Sequence, residues 1–293
     1  MSSYHGGKQR IGLEIAENIH LVSTIIEEHT DFVIKGYCEP FCGMLGVYRH
    51  IPELFSDKKP RLKYKAGDAN ESVIKMWQAA QKGWKPADLY TKSEYTALKE
   101  KTYPSAEKGF VGHSCTFRGI NFGGYFKHKK SKRESHVNNI VQISNIMNNH
   151  KVKFSPGSYT QFSNLEGYVI YCDPPYVNSE QRYYNTQGNR MTFDSDTFWK
   201  WCRKMADKNI VILSEYSAPS DFIQIFKKKV VLTGLGSRES RKSRESRKSR
   251  ESRKSRKSRK SRGSRGSRKS RGSRGSSNQA DRVESLFMPV KQY

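Results

Sequence analysis

The sequence predicts an α/β fold: a mostly parallel sheet with helices packed on both faces. Three observations lead there. Residues 168–172 and 209–213 are short, nearly continuous apolar runs, the pattern of strands buried on both faces. Stretches of helical period separate these runs, and alternation of that kind builds parallel sheets from crossover units. Acidic and glycine-containing motifs directly follow several of the runs, at the strand ends where open α/β sheets bind ligands.

Taken in order, residues 8–28 read as a helix, with Ile11, Ile15, Ile19, Val22 and Ile26 at helical spacing. Residues 32–37 read as a strand, broken by Glu39-Pro40-Phe41-Cys42-Gly43. A second strand covers 62–66 and ends at Gly67-Asp68, after which Asn70 caps a helix running to 82. Between 84 and 159 the pattern weakens. That stretch is rich in glycine, aromatic and basic residues, and only 137–147 reads clearly as helix. After the strand at 168–172, a helix is expected over 194–206, a strand over 209–213 and a helix over 219–227. Residues 230–232 and 283–288 read as two final strands.

Those last two strands are separated by a period-three repeat of Ser-Arg-Lys, Ser-Arg-Glu and Ser-Arg-Gly units. Lacking hydrophobes, residues 237–277 cannot offset an ordering entropy of about 1–2 kcal/mol per residue and are expected to be disordered. The repeat also explains why only 34% of the chain is hydrophobic. It carries 13 Arg, 6 Lys and 3 Glu between 238 and 274, or +16 of the net +26, so the remainder is itself basic. A surplus of this kind suits a polyanionic partner, because cations near phosphates release condensed counterions.

No apolar run is long enough for a transmembrane helix, no basic amphipathic anchor appears, and the first residues carry no secretory h-region. Membrane association is therefore not expected. Five scattered cysteines argue against a disulfide framework and for a reducing compartment. Cys38 and Cys42 lack a second Cys/His pair at matching spacing, so no metal is assigned.

Asp173-Pro174-Pro175-Tyr176 follows the buried strand directly. An exocyclic amine on a base is a poor nucleophile because its lone pair is delocalised into the ring. The Asp173 carboxylate and Pro174 carbonyl form an acceptor pair that can hold both amine hydrogens and favour the developing tetrahedral nitrogen. The two prolines stiffen the loop before substrate arrives, and Tyr176 offers a flat face to an extruded base. In the 39–43 loop, Gly43 allows close backbone approach to a ligand. No Gly-x-Gly-x-x-Gly is present, so the loop suits a cofactor without phosphates; a plain turn is the alternative. Asp68, 25 positions after Gly43, either accepts ribose hydroxyls or simply begins the next helix. Tyr4-His5-Gly6-Gly7-Lys8 is either a clamp for a carboxylate or an ordinary flexible terminus.

Together these motifs resemble the Dam-like (D12 class) N6-adenine DNA methyltransferases, especially viral and phage-type members. The order is N-terminal Gly-Gly-Lys, Glu-Pro-Phe-Cys-Gly, a strand-end acid, a variable region and then Asp-Pro-Pro-Tyr. Residues 110–117, 122–125, 214–219 and 282–287 add to the likeness. The resemblance implies a Rossmann-like class I methyltransferase sheet with an inserted target-recognition region. It implies S-adenosyl-L-methionine as cofactor, contacted by Tyr4, Lys8, Asp68 and Asp173 with Phe41 and Gly43 lining the pocket. Asp173, Pro174, Pro175 and Tyr176 are the implied catalytic set, and adenine in duplex DNA, flipped out of the helix, is the implied substrate. Tyr4 stands where many relatives have Trp, and nothing in the family predicts the repeat.

The expected organisation is a cofactor-binding half at 1–83, target recognition at 84–159, a catalytic half at 160–236, the repeat at 237–277 and a final strand within 278–293. Aromatics Phe110, Phe117, Phe122, Tyr125 and Phe126 beside Lys127, Lys129, Lys130, Lys132 and Arg133 form a DNA-facing surface or, alternatively, a small core with a charged edge. A monomer or weak dimer is expected, cytoplasmic or associated with a nucleoid or viral factory. The same acceptor logic serves an RNA adenine or cytosine-N4 methyltransferase. A non-enzymatic basic nucleic-acid binder is the alternative from another class.

Overall fold

The computed structural model describes residues 7–175, 183–184, 190–191, 193–230 and 282–290. The Ser-Arg repeat, Tyr4, Tyr176 and the strand expected at 231–232 lie outside them. By contact the chain divides into two units, 1–227 with 285–293, and 228–284. The site and both core clusters belong to the first.

The opening helix α1 (Gly12–His29) turns Ile15, Ala16 and Ile19 fully inward, as its periodicity requires. Strand β1 (Gly36–Glu39) starts later than the apolar run 32–37 predicts. The backbone before it is used otherwise: Ile34 N donates to Glu27 Oε1 and Lys35 N to Gly167 O, and Val33 is exposed. The short α2 (Ile51–Leu54), β2 (Lys63–Asp68) and α3 (Glu71–Gln81) follow, with Asn70 at the α3 N-cap position as expected.

The weakly patterned stretch from 84 to 159 contains more structure than it advertises. It forms α4 (Lys92–Glu100), α5 (Ala106–Ser114), α6 (Lys130–Asn149) and the edge strand β3 (Lys153–Pro156). Then come β4 (Tyr168–Cys172), the two-residue strands β5 (Tyr183–Tyr184) and β6 (Arg190–Met191), α7 (Ser195–Ala206), β7 (Ile210–Glu215), β8 (Phe222–Val230) and β9 (Arg282–Pro289). Residues 219–227, predicted as a helix, are largely strand. Phe222 is buried and Ile223 exposed, an alternation that suits a pleated strand, while Pro219 marks a turn into it.

Among the described residues seven strands form one sheet in the order β3-β2-β1-β4-β7-β9-β8. The pairs β2–β3, β1–β2, β1–β4 and β4–β7 are parallel, whereas β9 runs antiparallel to β7. The sheet is thus mixed, with a parallel centre. Alternating residues feed two cores. Tyr37, Val169, Tyr171 and Ile212 pack towards α1, α3, α5 and α6, and Cys38, Tyr168, Ile170, Cys172 and Leu213 pack towards α7. Helices therefore cover both faces, and β4 is buried at every position. This is a class I methyltransferase-like α/β fold. Its strand order reverses between β1 and β4, which opens a crevice at their carboxyl ends.

Candidate active site

Four elements deliver side chains to that crevice. The segment before α1 brings Lys8, the loop after β1 brings residues 41–46, β2 ends in Asp68, and β4 runs directly into Asp173. Parallel pairing fixes the level of the strand ends: Glu39 lies opposite Ala66, and Cys38 opposite Ile170. Asp68 and Asp173 thus stand about two strand spacings apart, roughly 10 Å.

Lys8 and Asp173, separated by 165 positions, meet in an ion pair with Lys8 Nζ 2.6 Å from Asp173 Oδ1. Lys8 is buried, with 5% of its side chain exposed, and Asp173 retains 20%. A buried ammonium needs such a partner, and the pair fixes the orientation of the carboxylate at the mouth of the crevice. Pro174 is buried and Pro175 partly so, which anchors the chain leaving Asp173.

Gly43 adopts φ +43°, the left-handed turn that glycine favours. Its N–H donates to Asp68 Oδ2 at 2.9 Å, and Asp68 Oδ1 accepts Asn70 N at 2.8 Å. Asp68 therefore ties the first loop to the start of α3. Burial raises its pKa, opposed by the hydrogen bonds from Asn70 and Gly43. Each carboxylate oxygen has a second lone pair with which to accept a hydroxyl. The loop is held further by Cys42 N to Gly67 O at 2.8 Å and by Trp77 Nε1 to Gly43 O at 2.9 Å.

Phe41 turns towards the α7 face. It stacks on Tyr159 with ring centres 5.5 Å apart and meets Phe193 and Phe198 edge-on. Tyr159 and Phe193, which the sequence reading did not single out, thus share the environment of Phe41. So does Glu39 belong to the site. It lies buried at the end of β1, its Oε1 accepting the Tyr37 hydroxyl at 2.7 Å. Burial pushes its carboxyl well above the usual range; the Tyr37 bond opposes this and the Asp173 charge adds to it. On β7, Tyr171 Oη and Ser214 Oγ share a hydrogen bond of 2.7 Å, and Glu215 is buried next to Ser214.

The residues suit a cationic cofactor that lacks phosphates. Carboxylates dominate the strand ends, a tight loop follows β1, and the single basic group described within the crevice is already committed to Asp173. Two cavities are described elsewhere. One of 20 Å³ lies among Tyr90, Phe110, Cys115 and His136; the other, 190 Å³, lies among Ile25, Ile210, Val211 and Met288, at the opposite end of β7 from Glu215. Beyond the crevice, Phe117, Ile120 and Phe126 are exposed on a hairpin closed by the Thr116–Tyr125 bridge, with exposed Lys127, Lys129 and Lys130 after it. Among the described residues no helix is long and apolar enough to cross a membrane.

No curated protein matches the sequence. Two solved structures of the rRNA methyltransferase aviRa from Streptomyces viridochromogenes are similar at 10% identity. One aligns over 75% of this chain and 81% of its own with a TM-score of 0.33; the other aligns over 73% and 81% with a TM-score of 0.29. Residues 118–247, which include α6, β4, Asp173-Pro174-Pro175, α7 and β7, match the model of the D12 class N6 adenine-specific DNA methyltransferase family, and this is family-level evidence for such a domain in the chain.

Proposed function

We propose that the chain is a Dam-like DNA methyltransferase that moves a methyl group from S-adenosyl-L-methionine to N6 of an adenine flipped from duplex DNA. The observation that carries this reading is the position of Asp173-Pro174-Pro175. It leaves the central strand β4 at the point where strand order reverses, with Lys8 bonded to its carboxylate. The family match over 118–247 and the basic balance of the chain support it.

In this reading the Asp173 carboxylate and the Pro174 carbonyl accept the two hydrogens of the adenine amine and aim its lone pair. Lys8 keeps the carboxylate turned towards the crevice, and Tyr176 stacks on the extruded base. Asp68 accepts hydroxyls of the cofactor ribose, Phe41 and Gly43 line its pocket, and Tyr4 closes it. When bound, the cofactor supplies a methyl on a sulfonium, whose departure as a neutral thioether needs no further activation. The protein's part is positioning. Phe117, Phe126 and the lysines after them face the DNA.

Incubation with methyl-labelled S-adenosyl-L-methionine and mixed DNA tests the proposal. N6-methyladenine should appear in the digest, and Asp173→Ala should lower transfer by at least about a hundredfold while leaving DNA retention on a filter unchanged. Label confined to RNA, or to N4 of cytosine, would redirect the substrate. Failure to bind the cofactor or to modify any polynucleotide would leave a basic nucleic-acid binder.

A further inference from the structure

The loop after β1 is pinned from three sides, through Cys42 N to Gly67, Gly43 N to Asp68 and Gly43 O to Trp77. The segment 8–9 rests directly on the end of that loop. A Cβ placed on Gly46 would lie 3.1 Å from Gln9 N and 3.2 Å from both Lys8 N and Lys8 C, and one on Gly12 would lie 2.0 Å from Gly46 O. Gly46 lies outside the left-handed region, so a side chain there would be strained by contact alone. These contacts are all backbone, and no flexible side chain can swing aside to relieve them. Because the loop is held and the segment before α1 is not tied in the same way, the segment would yield.

We propose that Gly46 is a positioning residue. Its bare Cα is the floor on which Lys8 lies, and that floor sets the ammonium against Asp173. This rests on the reading of Lys8 and Asp173 as parts of the methyl-transfer site. Gly46 acts only through Lys8, whose ion pair depends on how low its backbone sits. An alanine lifts that backbone by a few tenths of an ångström and withdraws the ammonium from the carboxylate.

The first test needs no cofactor. The full chain is treated with limiting acetic anhydride and the acetylation of each lysine is read by mass spectrometry. Lys108, equally buried but packed elsewhere, is the internal control. Gly46→Ala should raise acetylation of Lys8 about tenfold, the factor that 1.4 kcal/mol carries, with Lys108 unchanged. Asp68→Asn, which weakens the Gly43 tie without adding bulk, should raise it less, and it reads the same floor if Gly46→Ala does not fold. The second test is calorimetric binding of S-adenosyl-L-methionine. Gly46→Ala should weaken it in the wild-type background and have no further effect in Lys8→Ala, as expected when one residue acts through another. Unchanged Lys8 labelling, a parallel rise at Lys108, or an equal penalty in the Lys8→Ala background would overturn the proposal. A wild-type chain that binds no cofactor would instead count against the methyltransferase reading, and the labelling result would still decide the role of Gly46.

Discussion

Glu39 carries the chemistry of an acid in a place that disfavours its charge. It is buried at the end of β1, bonded to Tyr37 and close to the negative Asp173. Burial is the larger cause of its raised pKa, so the folded chain retains a proton that the unfolded chain releases above about 4.5. The sign follows: the native state binds more protons, and stability falls as pH rises from 4.5 towards the folded value. Glu39→Gln keeps the shape and an acceptor for Tyr37 while removing the titration. Relative to wild type the variant should gain up to about 1.4 kcal/mol per pH unit over that window, read from urea unfolding at pH 5 and pH 7. A stability difference that does not change with pH would contradict this. Sequence reading found the residue types at this site but not their partners. Lys8 and Asp173 each stood in a recognisable motif, yet nothing local couples positions 165 apart. Asp68 was open to two readings because a strand-end carboxylate serves backbone N–H groups and hydroxyls equally well, and here it bonds Gly43 and Asn70.

At the level of elements, legibility followed how much of each element's environment is local. Strand β4 is buried throughout and α7 carries an Asp194 cap and a strong apolar face, so both were placed within a residue or two. Residues 219–227 were misassigned because a proline before an apolar stretch resembles a helix start, and only the partner strand reveals the pleat. Helix α4 had a signal that went unread. Thr91 and Glu94 form a capping box, with Glu94 Oε2 accepting from Thr91 N and Thr91 Oγ1 from Glu94 N. Helix α5 hid behind two glycines, of which Gly109 is bare because a Cβ there would meet Ser72 O of α3 at 2.2 Å. The surface hairpin after α5 supports a prediction of its own. Lys127, Lys129 and Lys130 are exposed beside the rings of Phe117 and Phe126, whose centres are 5.8 Å apart. If each lysine meets one phosphate, changing all three to alanine should flatten the slope of log K against log salt by about 3. Titrations of one duplex at several salt concentrations give that slope, and a slope unchanged within error would move the DNA face elsewhere.

For the whole molecule, the sequence separates where charge is stored from where the chemistry is placed. The stretch 238–274 holds +16 of a net +26, yet no residue assigned to the site lies within it. Strand β9 returns after it to stand between β7 and β8, pairing Phe287 with Leu213 and Leu286 with Ser214. Two shortened chains should therefore behave oppositely. Excising 237–277 leaves β9 in the sequence and shortens a connection, a change that chain entropy tolerates because closure cost varies only slowly with length. Ending the chain at 236 removes β9, uncovers the edge of β7 and strips Leu286 and Phe287 from the two cores. The first should fold and transfer methyl groups at an unchanged rate on saturating DNA, with weaker and less salt-sensitive binding. The second should be insoluble or lose its cooperative melt, since burying even one such side chain is worth about 1.5–3 kcal/mol. Thermal melting and turnover at saturating DNA check both. Loss of turnover in the excised chain would mean that the repeat takes part in catalysis, and a cooperative melt in the chain ending at 236 would mean that β9 is not needed to complete the sheet.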